Sequence, residues 1–475
     1  MTASLLWELI TTVDDWHFRR SIPQLKGAND RVSRLLLLLI THPKEAAPDK
    51  LQLWRQLFPG QPFKSSNWDN LTSDALEQLY SYLSAQYFLE DEVEAGIWRS
   101  AFLQEAGLDK QANRQLRRTQ KLLAKRPDRS FQYFRHNSQL ASLEDQLALR
   151  QRRQRTEQLE MASDAFDLSY LINKLRLSCA KASRERAVSG GYQEKRLQYL
   201  LSAFKDELAS PEEFPAVQLY HRLYKFLSLE HPKQEDYQAI KATVNAAAQF
   251  LPEEEERTVY KYLLNHCVGQ INRGDQGYYP EVLQLYQLLL DRDLLIESGY
   301  LTPWSYSNIA TAGLRQKAFV WTENFLLEYR YRLPAASQAN AYQYNLASLE
   351  FERGDFDQAL IALGSIAFTD AFYYISAKLI QLKIYYHQRD FAPLQSTAES
   401  ARLYLLRNRQ LSEYQRRSIR AFLRYIQQIA QWAKELPFKK PEVSAQRKQQ
   451  LLQRIKEQQE LAQRDWLLAR LQEKA

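Results

Sequence analysis

Asn345-Leu346-Ala347 with Phe351 behind it, followed by Gly354-Asp355-Phe356-Asp357-Gln358-Ala359-Leu360, is the stretch that decides the fold of this 475-residue chain. It reads as two helices joined by a tight Gly-Asp turn, with small residues where the helices cross. Ala347 and Ala359 let two helix backbones approach closely. Gly354 can take the positive φ that closes the first helix, which a Cβ would disfavour. These are packing residues, and none of them carries chemistry.

The pattern recurs on both sides. Asn308-Ile309-Ala310 precedes Phe319, and Tyr385-Tyr386 precedes Arg389-Asp390-Phe391. The aromatic residues after each turn, Phe319, Phe356 and Phe391, lie 37 and 35 residues apart. Upstream, Tyr279 and Tyr237 continue the series at wider spacings of 40 and 42. This unit resembles a tetratricopeptide repeat, with Gly313 or Glu350 where the repeat usually has an aromatic in its first helix. The resemblance implies an α-solenoid of stacked antiparallel helix pairs with a separate N-terminal helical unit. It also implies a concave groove lined by first helices, on which Trp304, Asn308, Arg315, Tyr344, Asn345, Lys383, Tyr386 and His387 would lie. Most of the chain is similar to bacterial proteins that join a helical unit to irregular repeats of this kind.

Composition agrees with an all-α chain. Gly and Pro number only 13 and 16, while 28 Tyr and 21 Phe supply large buried interfaces. Apolar residues such as Phe166, Tyr170, Leu171, Leu175 and Cys179 recur at helical spacing along one stripe. Helix starts are marked at Ser210-Pro211-Glu212-Glu213, at Thr302-Pro303 and at Pro252 before Glu253 to Glu256. Breaks fall at Pro59-Gly60-Gln61-Pro62, Ser189-Gly190-Gly191, Glu230-His231-Pro232, Gly274 to Pro280 and Pro437 to Pro441. These marks suggest four segments: an N-terminal helical unit (1–105), a basic connector (106–160), the repeats (161–436) and a charged C-terminal helix (437–475).

The N-terminal unit reads as three helices, Leu35 to Ile40, Leu51 to Phe58 and Trp68 to Leu83. It resembles the winged-helix module of some transcription activators. Yet Ser65 to Trp98 contains no Lys or Arg and seven acidic residues, the opposite of a helix meant to lie among phosphates. After Pro441 a charged helix is expected to run to Ala475, with Leu452, Ile455, Ala462, Trp466 and Ala469 on one stripe. Capping the apolar end of the array is its simplest role, and docking into a partner the alternative.

The net charge of +8 is concentrated. Residues 110–155 hold 13 Lys and Arg against three acids, and the rest of the chain is nearly balanced. Arg114, Arg118, Lys121 and Lys125 share a helix face there. Phe131, Tyr133, Phe134 and His136 follow, then Arg150, Arg152, Arg153 and Arg155. Such a mixture could grip nucleic acid or an acidic protein.

Signs of chemistry are missing. Gly269 to Gly274 has Asp275 where a phosphate-binding loop needs Lys, and neither GxSxG nor HExxH occurs. His266 beside Cys267 lies in an apolar helix and reads as core. Cys179 and Cys267 form no CxxC pair, the longest apolar run (Leu35 to Ile40) is far too short to cross a bilayer, and no secretory leader is evident. The expectation is a cytoplasmic, non-catalytic scaffold or adaptor with a protein or peptide partner. No cofactor, no metal and no membrane insertion are expected. A nucleic-acid-associated regulator using residues 110–155 is the alternative.

Overall fold

The computed structural model describes residues 5–13, 18, 25, 27, 30–44, 46–150, 156–185, 195–205, 214–297, 299–366, 371–408 and 410–472. The regular structure among them is helical, apart from one isolated antiparallel bridge between Glu297 and Tyr300. The marks at Ser210–Glu213 and Ser189–Gly191, and the side chains of Arg152, Arg153 and Arg155, lie outside the described residues. The chain packs as two compact units, Met1–Tyr262 and Leu263–Ala475.

In the first unit, α1 (Leu5–Thr12), α2 (Arg31–Ile40), α3 (Lys50–Leu57) and α4 (Ser65–Glu90) enclose a core of Trp7, Leu35, Leu39, Trp54, Trp68 and Leu79. The three helices read from the sequence are α2, α3 and α4. Asp30 caps α2 by accepting from the Ser33 amide. Next come α5 (Glu92–Glu105), α6 (Asp109–Ala124), α7 (Phe131–Arg150) and α8 (Glu157–Glu185). Here α6 packs on both α5 and α7, and α7 lies along α8. Val93, Ile97, Leu116, Leu123 and Leu140 form the core of this layer. The basic stretch is therefore part of a packed layer rather than a connector, because one face of α6 is apolar.

On α8 the buried stripe is Ala165, Leu171, Ile172, Leu175 and Cys179, so Leu171, Leu175 and Cys179 are buried as expected, whereas Phe166 and Tyr170 are exposed. The expected stripe was out of phase at its start by one residue. Behind α8 stand α9 (Lys195–Ala203), α10 (Pro215–Ser228) and α11 (Gln234–Ala247). The unit boundary falls inside α12 (Glu253–Asn272). Of the acidic run that opens α12, Glu255 is buried and its carboxylate accepts from the Tyr220 hydroxyl at 2.5 Å.

The second unit continues with α13 (Tyr279–Asp291) and then three hairpins. These are α14 (Pro303–Arg315) with α15 (Phe319–Tyr329), α16 (Ala335–Arg353) with α17 (Phe356–Gly364), and α18 (Ala371–His387) with α19 (Phe391–Arg407). Within this set α14 packs on α16 and α16 on α18, while each second helix also touches the first helix that follows it. Ala347 and Ala359 are fully buried, as close helix crossing requires.

One turn recurs throughout. Gly107, Gly274, Lys317, Gly354 and Arg389 all have positive φ. After each, the next amide donates to a carbonyl five residues back: Leu108 to Leu103, Asp275 to Gln270, Ala318 to Gly313, Asp355 to Glu350 and Asp390 to Tyr385, at 2.8–3.0 Å. This double-bonded helix end satisfies carbonyls the helix leaves open. Asp355 then caps α17 by accepting from the Gln358 amide.

After α20 (Glu413–Glu435), the C-terminal segment differs from the single helix expected over 437–475. It forms two, α21 (Pro441–Glu457) and α22 (Arg464–Gln472). The chain reverses between α21 and α22 through Gln463, which has φ 55°. Arg417 grips Glu460 with two bonds of 2.7 and 2.9 Å, and the Ala462 amide donates to the Ser418 carbonyl. The reversal lets Leu467 and Leu471 join the core of Phe422, Ile426 and Ile455, which a straight helix would not reach.

Candidate functional site

First helices α14, α16 and α18 carry basic residues in their last turns, with aromatic residues spread along them, from Trp304 and Phe372 at the starts of α14 and α18 through Tyr344 at the middle of α16 to Phe351 and Tyr386 near the C-terminal ends. Trp304 opens α14 and is 64 % exposed, its ring 5.7 Å from that of Phe372 at the start of α18. Tyr344 of α16 meets Phe372 and Tyr373 at 6.5 and 5.6 Å. At the other end Arg315, Arg353 and His387 stand in the last turns of their helices. The guanidinium groups of Arg315 and Arg353 there complement the negative end of each helix dipole, which explains their placement.

Those helix ends and α22 surround a cavity of about 850 Å³, lined by Arg315, Phe351, Glu352, Lys383, His387, Trp466 and Arg470 among others. Lys383 donates to Gln463 Oε1 at 2.6 Å, and its Nζ lies 5.7 and 5.8 Å from the Phe351 and Trp466 ring centres. Arg470 also lies over Trp466, at 5.5 Å, and its Nη1 donates to His387 Nε2 at 3.2 Å. His387 stacks on Phe356 at 5.3 Å. Arg353 is held by Glu323 and Glu350.

Lys383 forms no ion pair with a carboxylate among the described residues. Burial in the cavity pulls its ammonium down to about 8, with Arg315 and Arg470 pushing the same way and Glu352 opposing them. Glu352 and Asp465 are the carboxylates of the lining, set against Arg315, Arg353, Lys383, Arg464 and Arg470, so the cavity is cationic. It suits a ligand that brings negative charge.

Of the residues expected on the groove, Arg315, Lys383 and His387 meet in this cavity, and Tyr344 lines a smaller one of about 180 Å³ beside it. Trp304 and Asn308 are exposed on the same helix face. Tyr386 is packed against Trp466 at 5.5 Å. Asn345 is buried instead: its Nδ2 donates to Ser307 Oγ at 3.1 Å and ties α16 to α14. Its amide serves packing: buried where two first helices cross, it is satisfied by Ser307 and by the Ala341 carbonyl. The tail residues Gln463, Trp466 and Arg470 were not expected at the groove. Nothing local in their sequence signals that the chain turns back onto α18.

In the first unit the basic face of α6 is exposed as expected. The aromatic residues beyond it are already engaged: Arg129 lies over Tyr133 at 4.4 Å and Arg176 over Phe131 at 4.9 Å. His136 is buried, with Nε2 2.6 Å from Glu94 Oε2, and burial holds its pKa below the usual imidazole range. The Phe131, Tyr133 and Phe134 rings are half-buried packing groups rather than free stacking platforms.

Among the described residues no helix is long and apolar enough to cross a membrane, and no cluster of His, Cys, Asp and Glu is arranged to hold a metal. No protein-family model, curated protein or solved structure matches the chain.

Proposed function

We propose that the C-terminal unit is a non-catalytic protein-binding scaffold. Its hairpins would continue one another as a tetratricopeptide-like α-solenoid and receive an acidic, aromatic-bearing segment of a protein partner across the first-helix face. The observation that carries this reading is the run of Trp304, Phe372 and Tyr344 across α14, α18 and α16, which leads directly into the cationic cavity of Arg315 and Lys383. Between Trp304 and Arg315 the face extends about 16 Å at the helical rise, the length of a short peptide. Aromatic anchors flanked by cations are a common makeup of protein-binding surfaces. The tail narrows the cationic end of this face yet leaves the cavity open, so ligand and α22 would share it.

The test is parallel affinity purification from the native cell with wild type, Trp304→Ala and the pair Arg315→Glu/Lys383→Glu, each checked for wild-type helicity. A protein recovered in stoichiometric amount with wild type and depleted at least tenfold with both variants is the expected result. Equal recovery with all three baits, or no stoichiometric protein with any, overturns the reading.

A further inference from the structure

Charge on the first unit is divided sharply between two kinds of cation. Arg126, Arg135 and Arg150 are anchored to Asp91, Glu94 and Asp109 at 2.5, 2.6 and 3.6 Å. Lys110, Arg114, Arg117, Arg118, Lys121 and Lys125 are all exposed and make no ion pair or side-chain hydrogen bond among the described residues. At 100° per residue these six fall within an arc of about 100° on α6. The opposite arc holds Ala112, Leu116, Thr119 and Leu123, all buried. Helix packing therefore fixes the direction in which the cations point, and no acid from α5 or α7 neutralises them. Asp109 is taken by Arg150, and Glu144 accepts from Gln120.

From Lys110 to Lys125 the stripe runs about 22 Å, with a cation at nearly every turn. It borders a shallow trough of about 690 Å³ lined by α6 alone. We infer that this face of α6 docks the phosphate backbone of a double-stranded nucleic acid, without reading sequence. A duplex presents closely and regularly spaced charges, and each phosphate contacted releases condensed counterions, so a straight row of exposed cations gains affinity without further contacts. Arginines add two-pronged bonds to phosphate oxygens. Single strands are usually held by stacking bases on aromatic rings, but Phe131 and Tyr133 already carry Arg176 and Arg129. A bilayer surface would call for an apolar stripe within the cationic face itself; the exposed Trp98 and Phe102 belong to α5, and the trough's single apolar side chain, Leu122, is half-buried.

The experiment is fluorescence anisotropy with full-length protein and a labelled 20-base-pair duplex at 50 to 200 mM salt. Wild type is expected to bind, with affinity falling at least a hundredfold across that range, as four or more phosphate contacts require. Arg114→Gln/Arg118→Gln/Lys121→Gln should lower the log–log salt slope by about three, and the matching Glu variant should abolish binding at 100 mM salt. Lys383→Glu should bind like wild type, which separates this result from the scaffold reading. The inference is overturned if no duplex is bound at 50 mM salt or if the α6 variants bind as wild type does. It is equally overturned if a polyglutamate peptide, a single strand or vesicles containing phosphatidylserine bind more tightly than the duplex.

Discussion

The α5–α6 hairpin of the first unit and the α14–α15 hairpin of the second are built alike and used differently. Both turn through a residue of positive φ, Gly107 or Lys317, with the same pair of amide bonds behind it. Both cross where glycine faces threonine: a Cβ on Gly96 would lie 2.4 Å from Thr119 Oγ1, and one on Gly313 would lie 2.2 Å from Thr322 Oγ1. Outward, however, α6 and its C-cap residue Lys125 carry six exposed cations, whereas α14 contributes Trp304 and Arg315 to a face completed by other helices. The packing device is generic, and the arc of helix it leaves uncovered sets the surface chemistry.

That comparison can be broken most decisively at the crossings. Gly96→Val and Gly313→Val should each cost about 2–3 kcal/mol, since the added carbons meet a buried threonine at a distance that real contacts do not reach. Thermal unfolding reads the loss. A cost at one site and none at the other would show that the crossings are not equivalent. A smaller effect comes from the turns. Lys317→Gly and Arg389→Gly should each stabilise by about 1 kcal/mol, because only glycine adopts positive φ without strain, while Gly107→Ala and Gly354→Ala should lose a similar amount.

Smaller again is the effect of the Lys383 charge. Its folded value of about 8 lies below the ordinary 10.5, so between those values the unfolded chain binds the extra proton and stability rises with pH. Below about pH 8 the folded protein carries the full cost of the enclosed charge. Lys383→Met should therefore be more stable than wild type at pH 7, with the gap closing as pH rises toward 10.5. A gap that stays constant over that window would mean the ammonium is freely solvated. Least affected is the outer face of α6: Arg114→Gln/Arg118→Gln/Lys121→Gln should leave stability within about 0.5 kcal/mol of wild type by chemical denaturation, since those side chains touch no partner.

Periodicity and turn chemistry made the helices legible. Gly354-Asp355 and Arg389-Asp390 announce their turns by composition, while the turn before Phe319 is read only from the spacing of the aromatic residues, because a lysine in left-handed conformation leaves no local trace. Gly313, which departs from the repeat pattern at that position, makes sense only once Thr322 is seen against it. The lining of the cavity was half legible: Arg315, Lys383 and His387 follow from helical register, but Trp466 and Arg470 reach them through a reversal at Gln463 that depends on tertiary bonds to Arg417 and Ser418. Asn345 was misplaced because register assigns a helix face without saying which neighbour already covers it.

The reversal at Gln463 also orders events during synthesis. Hairpins α14 to α19 emerge from the ribosome well before Trp466 and Arg470 exist, so a nascent chain displays its first helices with one wall of the cavity missing. Any ligand that relies on that wall must wait until translation has passed residue 470, whereas the α6 face is finished hundreds of residues earlier.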